Sequence, residues 1–213
     1  DPEIRQMLKY TLCAGGKRSR PIIVLLSTEI CGGDARDSIN AALAIELVHT
    51  VSLIHDDILD KGERRRGRES AHEKFGPGFA LLCGDLLISK AVEMISHYEK
   101  PIVQDFARAG LLMSEGEILD VKKRKDKISR KEYYECISKK TASLFAASAS
   151  IGGIIARGRR DAIVEKLTRF GNELGMAYQI VDDLLEFLET QKKAKTKFLP
   201  PFVTSAANSP DEV

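Results

Sequence analysis

Tryptophan is absent from the 213 residues, and aromatic side chains make up only 6% of them. The basic run Arg64-Arg65-Arg66-Gly67-Arg68 therefore has no interleaved aromatics on which bases would stack. Charge of one sign is also lacking. Lys plus Arg is 33 against 31 Asp plus Glu, a net charge of +2, so no global basic field argues for a nucleic-acid partner. The four cysteines are far apart with no CxxC pair, and they read as buried or partly buried thiols of a reducing, cytoplasmic compartment. No apolar run reaches the roughly 18 residues of a membrane span. The richest, residues 41–58, is broken by Glu46, His49, His55, Asp56 and Asp57, and no transmembrane segment is expected. The start, Asp1-Pro2-Glu3, lacks the basic-then-apolar order of a signal peptide.

Proline is missing from Ile102 to Leu199, which permits long helices there, and no alternating strand pattern of useful length occurs. The spacing predicts an all-α single domain over 1–213. Arg20-Pro21 opens one helix that ends near Cys31, before Gly32-Gly33. Ser38 is the expected cap of a second helix, reaching Asp60, with Ala42, Ile45, Val48, Ser52 and His55 on one face. A basic loop covers 61–68. Helices follow near 78–98, 102–123, 130–156 and 160–189, and Ser129 with Glu132 forms a capping box for the third of these. Residues 200–213 read as a poorly ordered or docked tail.

Four features carry chemistry. In Asp56-Asp57-Ile58-Leu59-Asp60, Asp56 and Asp60 lie one helical turn apart, where like charges repel unless a cation compensates. Oxygen donors without His or Cys suit a hard ion such as Mg²⁺. Asp182-Asp183-Leu184-Leu185-Glu186 repeats the spacing 126 residues later. A lone acidic pair is usually a solvated face, but two clusters in apolar helices need partners. In Gly15-Gly16-Lys17-Arg18-Ser19-Arg20-Pro21, cations flank a helix N-terminus, where free N–H groups and the dipole favour anions. The arginine run follows the first acidic cluster directly, a combination that fits a diphosphate held by both metal and guanidinium groups. Two diphosphate substrates bring about six negative charges, which only divalent ions plus Lys and Arg can hold together.

In this order and spacing, GGKRSRP at 15–21, ELVHTVSLIHDDILD at 46–60, RRG at 65–67, GDLL at 84–87, KTASLF at 140–145 and FGNELGMAYQIVDDLLEF at 170–187 resemble the trans-type polyprenyl diphosphate synthases, geranylgeranyl diphosphate synthases among them. The resemblance implies an antiparallel helical bundle of the isoprenoid synthase type around a central cavity, usually homodimeric. It also implies a prenyltransferase of isoprenoid biosynthesis that joins isopentenyl diphosphate head to tail with an allylic diphosphate. Asp56, Asp57 and Asp60, and Asp182, Asp183 and Glu186, would then be the Mg²⁺ motifs, with Asp182 the principal ligand of the second. Arg65 and Lys140 would clamp the allylic diphosphate. Lys17, Arg20, His49 and Arg66 would bind isopentenyl diphosphate, while Thr141 and Gln179 would lie near the reacting carbons. His55 and His72 stay unassigned, and Tyr178 reads as core packing. In this family, aromatics four or five residues before the first motif shorten the product. Val51 and Ser52 are small, so a product of geranylgeranyl length or longer is expected.

Two departures stand out. Glu186 replaces the usual last Asp, one methylene longer. The loop after it is shorter than in the family and keeps only Lys197-Phe198-Leu199-Pro200 of the usual shape, and the helical C-terminal portion is largely absent, as expected if segments are missing from this sequence. The alternatives are a non-catalytic subunit of a heteromeric synthase, which would have little need of both substrate motifs, and a terpene cyclase, which would lack Lys17, Arg20 and the second DDxxE.

Overall fold

A computed structural model describes residues 1–123 and 128–193; the 197–200 segment and the tail from Pro200 lie outside the described residues. The described residues are all-α apart from one short hairpin, and the chain divides into two compact units.

The first unit comprises Asp1–Val103 with Ile151–Arg159. Helix α1 (Pro2–Leu12) was not anticipated as a separate element. Asp1 caps it, its Oδ1 accepting from the N–H groups of Glu3 and Ile4, and Pro2 sits where its missing N–H costs nothing. Helix α2 (Ser19–Ile30) follows, then a 3₁₀ turn (Ala35–Ser38) and α3 (Ile39–Asp60). Ser38 stands at the N-cap of α3 as expected, but its hydroxyl donates to the Ala35 carbonyl and caps nothing in α3. Strands β1 (Arg64–Arg65) and β2 (Arg68–Glu69) pair antiparallel within the expected basic loop. Their turn residues, Arg66 and Gly67, have φ of 51° and 81°. This double left-handed turn matches the natural strand twist, and it was not legible because Arg is not its usual occupant. Helices α4 (Ala71–Phe75) and α5 (Pro77–Ile95) complete this part. The core joins Met7 of α1, Val51 and Ile54 of α3, Ala71 of α4, and Ala80, Cys83 and Leu87 of α5.

By length and composition Ala35–Asp60 does qualify as a membrane span, contrary to the count of uninterrupted apolar residues. One face of it is packed inside this unit, however: Ala41, Ala44, Ile45, Val51 and Ile54 are buried, and its charges Glu46 and Asp57 are paired with arginines, while Ile39, Leu43 and Leu59 stay exposed. Cys83 and Cys136 are buried and Cys31 is half-buried, but Cys13 is exposed because α1 has already ended there.

The second unit comprises residues 104–150 and those from 160 onward. It holds most of α6 (Lys100–Lys123), α7 (Arg130–Ile137), α8 (Ser143–Arg157) up to Ser150, and α9 (Ala162–Lys193). The capping box forms as predicted: Ser129 Oγ accepts from the Glu132 N–H, and Glu132 Oε2 accepts from the Ser129 N–H. The helix expected to run unbroken over 130–156 is interrupted by one π turn, Ser138–Ala142. Such turns insert a residue and re-aim the side chains on it, here Lys139, Lys140 and Thr141. Two backbone contacts brace it. A Cβ on Gly116 of α6 would lie 2.3 Å from the Lys140 nitrogen, and one on Gly175 of α9 would lie 2.6 Å from Ala142 Cα. Only bare backbone fits on either side. Phe145 and Leu144, fully buried just beyond the turn, each stabilise the unit by roughly 2 kcal/mol.

Candidate active site

In the first unit the expected isopentenyl diphosphate residues lie in one cationic cluster. Arg18 takes a left-handed conformation at the N-cap of α2, φ 50°, and provides no side-chain cap. Its guanidinium instead pairs with Glu46 Oε1 and donates to the Leu12 carbonyl at 2.6 Å. Glu46 Oε2 is buried with no partner. Arg20, nearly buried, donates to His49 Nε2 at 3.3 Å. Arg66 donates to the Gly15 carbonyl and covers Gly16, where a Cβ would lie 2.7 Å from its Nη2. Lys17 is exposed beside them.

His49 reports the field of this cluster. Burial, followed by the charges of Arg20, Arg66, Arg18 and Arg65, pushes its imidazole down to about 3. At neutral pH it carries no charge. Because Nε2 accepts from Arg20, the ring proton sits on Nδ1. The site therefore offers a neutral N–H donor among cations, well suited to an anion.

The first acidic motif ends α3 in the same unit. Its middle residue, Asp57, is 5% exposed. Both of its oxygens accept from Arg65 Nε, at 3.0 and 3.1 Å, and Oδ1 also accepts from Nη2 at 2.5 Å. That bond, with the added charges of Asp56 and Asp60, holds the guanidinium above its ordinary value despite burial. Asp57 is thus committed to Arg65, while Asp56 is half-buried and Asp60 exposed. The hairpin that carries Arg65 is tied to α1: Tyr10 donates to the Glu69 carbonyl at 2.9 Å, and Arg68 lies over the Tyr10 ring and donates to the Cys13 carbonyl. Val51 is buried, and Ser52, half-buried, donates to the His49 carbonyl. His55 places a buried, unpartnered Nε2 against Gly84, and His72 packs against Ser70 and Glu73.

In the second unit α9 carries Asp182 and Glu186 exposed and Asp183 half-buried. Asp183 Oδ2 accepts from the Tyr133 hydroxyl at 2.6 Å, and Oδ1 accepts from Gln179 Nε2 at 2.8 Å. Gln179 Oε1 in turn accepts from Thr141 Oγ1 at 2.6 Å. Lys140 pairs with Glu117 at 2.6 Å and Asp120 at 2.7 Å, both on α6. Burial, and then the bond to Asp183, raises the Tyr133 phenol well above its ordinary value. Tyr178 packs on Phe145, ring centroids 5.3 Å apart. Sequence reasoning missed Tyr133, Glu117 and Asp120. Spacing shows which residues share a helix face, and these act from other helices.

The donor chemistry of Asp56 and Asp60, and of Asp182 and Glu186, is all carboxylate oxygen at a spacing of four, which fits a hard divalent cation. Among the described residues no three His, Cys, Asp or Glu side chains form a closed metal cage. Mg²⁺ commonly takes one or two carboxylates and fills its remaining positions with water and phosphate oxygens.

Residues 1–199 match the polyprenyl synthetase family model. The chain is 52% identical over 198 residues to a geranylfarnesyl diphosphate synthase of Methanosarcina mazei, covering 93% of this chain and 67% of that protein. It is 37% identical to a geranylgeranyl diphosphate synthase of Sulfolobus acidocaldarius, covering 90% of this chain and 61% of the relative. Among solved structures, a geranyltranstransferase from Methanosarcina mazei superposes with a TM-score of 0.79 at 52% identity, over 91% of this chain and 69% of that one. A geranylgeranyl pyrophosphate synthetase from Pyrococcus horikoshii gives 0.83 at 39% identity, over 92% and 62%. The chain spans about three fifths to two thirds of the length of these relatives. The two DDxx(D/E) motifs, the arginine-lined turn and a family match over nearly the whole sequence lead to one statement: the chain belongs to the polyprenyl synthetase family, with its all-α isoprenoid synthase fold.

Proposed function

We propose that this chain is a prenyltransferase, working as one synthase domain over 1–213, that condenses isopentenyl diphosphate head to tail with an allylic diphosphate. The observation that carries the reading is the first unit's arrangement, in which four arginines act on a histidine kept neutral and one of them, Arg65, is bonded to the acidic motif. Lys17, Arg20, His49 and Arg66 hold the isopentenyl diphosphate: the guanidinium groups neutralise it and the His49 Nδ1–H donates to it. Arg65, already oriented by Asp57, and Lys140 grip the allylic diphosphate. Asp56, Asp60, Asp182 and Glu186 hold Mg²⁺, which supplies the positive charge that lets the allylic diphosphate depart. Asp57 and Asp183 orient their neighbours. Thr141, bonded to Gln179, turns the lone pairs of its Oγ1 to the allylic cation, which the isopentenyl double bond attacks. The departing diphosphate accepts the proton, so no protein base is required.

Val51 and Ser52 are small side chains just before the first motif, and with the 52% identity to a geranylfarnesyl diphosphate synthase they support a product of twenty carbons or more. A homodimer in the cytoplasm completes the reading. The test is to incubate the full-length protein with labelled isopentenyl diphosphate, Mg²⁺ and each allylic primer, then size the dephosphorylated products. A Mg²⁺-dependent ladder reaching twenty carbons or beyond is expected, and Val51→Phe or Ser52→Phe should shorten it. No incorporation by well-folded protein would overturn the synthase reading; an unshortened product would overturn the role of these two positions alone.

A further inference from the structure

We propose that Tyr133 is a positioning residue for the condensation: its hydroxyl anchors Asp183 at the head of a hydrogen-bond relay through Gln179 that sets the polarity of the Thr141 oxygen. The inference rests on the synthase reading above for the place of Thr141 beside the reacting carbons. The relay itself rests on chemistry. An ionised carboxylate only accepts, so the end of Gln179 that faces Asp183, at 2.8 Å, is its NH₂. Its carbonyl oxygen then faces Thr141, at 2.6 Å, and the Thr141 hydroxyl must be the donor. The oxygen of Thr141, 95% buried on the π turn, is left with its lone pairs as the negative end of the chain. Each bond polarises the next, so part of the Asp183 charge is felt at Thr141 Oγ1, where a developing carbocation is stabilised.

Tyr133 makes this arrangement single-valued. It donates to Asp183 Oδ2 at 2.6 Å from the first full turn of α7, whose start is fixed by the Ser129–Glu132 capping box. With that oxygen held, the other is aimed at Gln179. Without the phenol the carboxylate is free to rotate, and the amide loses its reason to keep one orientation. The donor is neutral, so it orients Asp183 without cancelling its charge.

The test compares Tyr133→Phe, Thr141→Val and the double variant in the full-length protein. Tyr133→Phe should lower kcat about tenfold, while KM for isopentenyl diphosphate stays within twofold. In the Thr141→Val background the same change should cost less than twofold, because the relay no longer ends on a hydroxyl. Equal losses in both backgrounds, or no loss in the first, overturn the proposal in favour of simple packing. If the unmodified protein incorporates no isopentenyl unit, the synthase reading fails by itself. The relay is then read from the ¹⁵N-resolved side-chain NH₂ resonance of Gln179, which should move in Tyr133→Phe; an unmoved resonance overturns the relay.

Discussion

The two acidic motifs have nearly the same sequence and are stabilised by opposite means. At the end of α3 the middle carboxylate, Asp57, is held by a guanidinium, a cation that cancels its charge. On α9 the middle carboxylate, Asp183, is held by a phenol and an amide, neutral donors that leave its charge in place. The surroundings differ in the same sense. The first unit gathers arginines about a histidine, and its site is an electrostatic construction. The second gathers backbone: Gly116 and Gly175 let helices close on a π turn, and its site is a packing construction. Similar motifs thus do not imply similar vulnerability. Packing changes should damage the second site most, and removal of a charge the first.

The largest effect should come from testing packing. Gly116→Ala sets a methyl 2.3 Å from the Lys140 nitrogen, against backbone that cannot step aside. Overpacking of that kind should cost about 3 kcal/mol, read as a lowered denaturation midpoint. Its counterpart in the first unit is Gly67→Ala. There a Cβ meets nothing within 4 Å, and only the positive φ of 81° opposes it, so about 1 kcal/mol is expected. Equal losses at the two positions would break the comparison.

The next effect reverses the order. Arg65→Ala leaves Asp57, 95% buried, with no counter-charge, and should cost about 3 kcal/mol less a discount for the partly exposed guanidinium, so about 2 kcal/mol. Urea denaturation in low and high salt checks it, and the deficit should hardly shrink with salt because the pair is sheltered. Arg65→Lys restores the charge but not the fork, since two parallel bonds need a guanidinium, so only part of the deficit is recovered.

How much of this was legible in the sequence follows the same division. Most of the longer helices, the capping box at Ser129 and both acidic motifs could be located, because local periodicity and local side-chain bonds determine them, whereas α1 and α4 were not anticipated. Two basic loops could be seen in the sequence, but only the family resemblance grouped Lys17, Arg20, His49 and Arg66. The π turn was not. Its extra residue is stabilised by Gly116 and Gly175 on other helices, and nothing in SKKTA itself demands it. Tyr133 was hidden for the same reason, its partner lying 50 residues away. Spacing also could not distinguish Asp57 from Asp56, or Asp183 from Asp182; which carboxylate turns inward depends on what the facing helix or hairpin offers.

A third effect separates the units by pH. His49 is depressed to about 3 in the folded protein and returns to the ordinary range near 6.5 on unfolding. Between those values the unfolded chain binds a proton that the folded one refuses. Its contribution to stability is therefore complete above pH 6.5 and lost as pH falls toward 3, at about 1.4 kcal/mol per pH unit. Tyr133 behaves oppositely. Its raised phenol keeps its proton in the folded protein while the unfolded chain loses it, so stability falls as pH rises beyond about 10. Melting temperatures across pH should show His49→Gln flattening the acid limb alone and Tyr133→Phe the alkaline limb alone. Either variant changing the other limb would contradict the assignment.

The smallest effect concerns how the helices that deliver these residues begin. Helix α7 starts with the Glu132 N–H claimed by Ser129 Oγ, whereas α2 starts at Arg18 with no side-chain cap, leaving its first-turn N–H groups for an anion. A capped start serves position; an uncapped one serves binding. Ser129→Ala should cost about 1 kcal/mol and lower Tm by roughly 2–4 °C for a chain of this size. Because Tyr133 lies in the turn the cap secures, turnover should fall slightly while the affinity for isopentenyl diphosphate, measured by titration calorimetry, stays the same. Placing the same residue at the other start, Arg18→Ser, should do the reverse: it removes the partner of buried Glu46 and claims N–H groups at the head of α2, so affinity should fall. An unchanged affinity in Arg18→Ser would mean that the head of α2 is a structural start like that of α7, and the contrast between the two units would then rest on Asp57 and Asp183 alone.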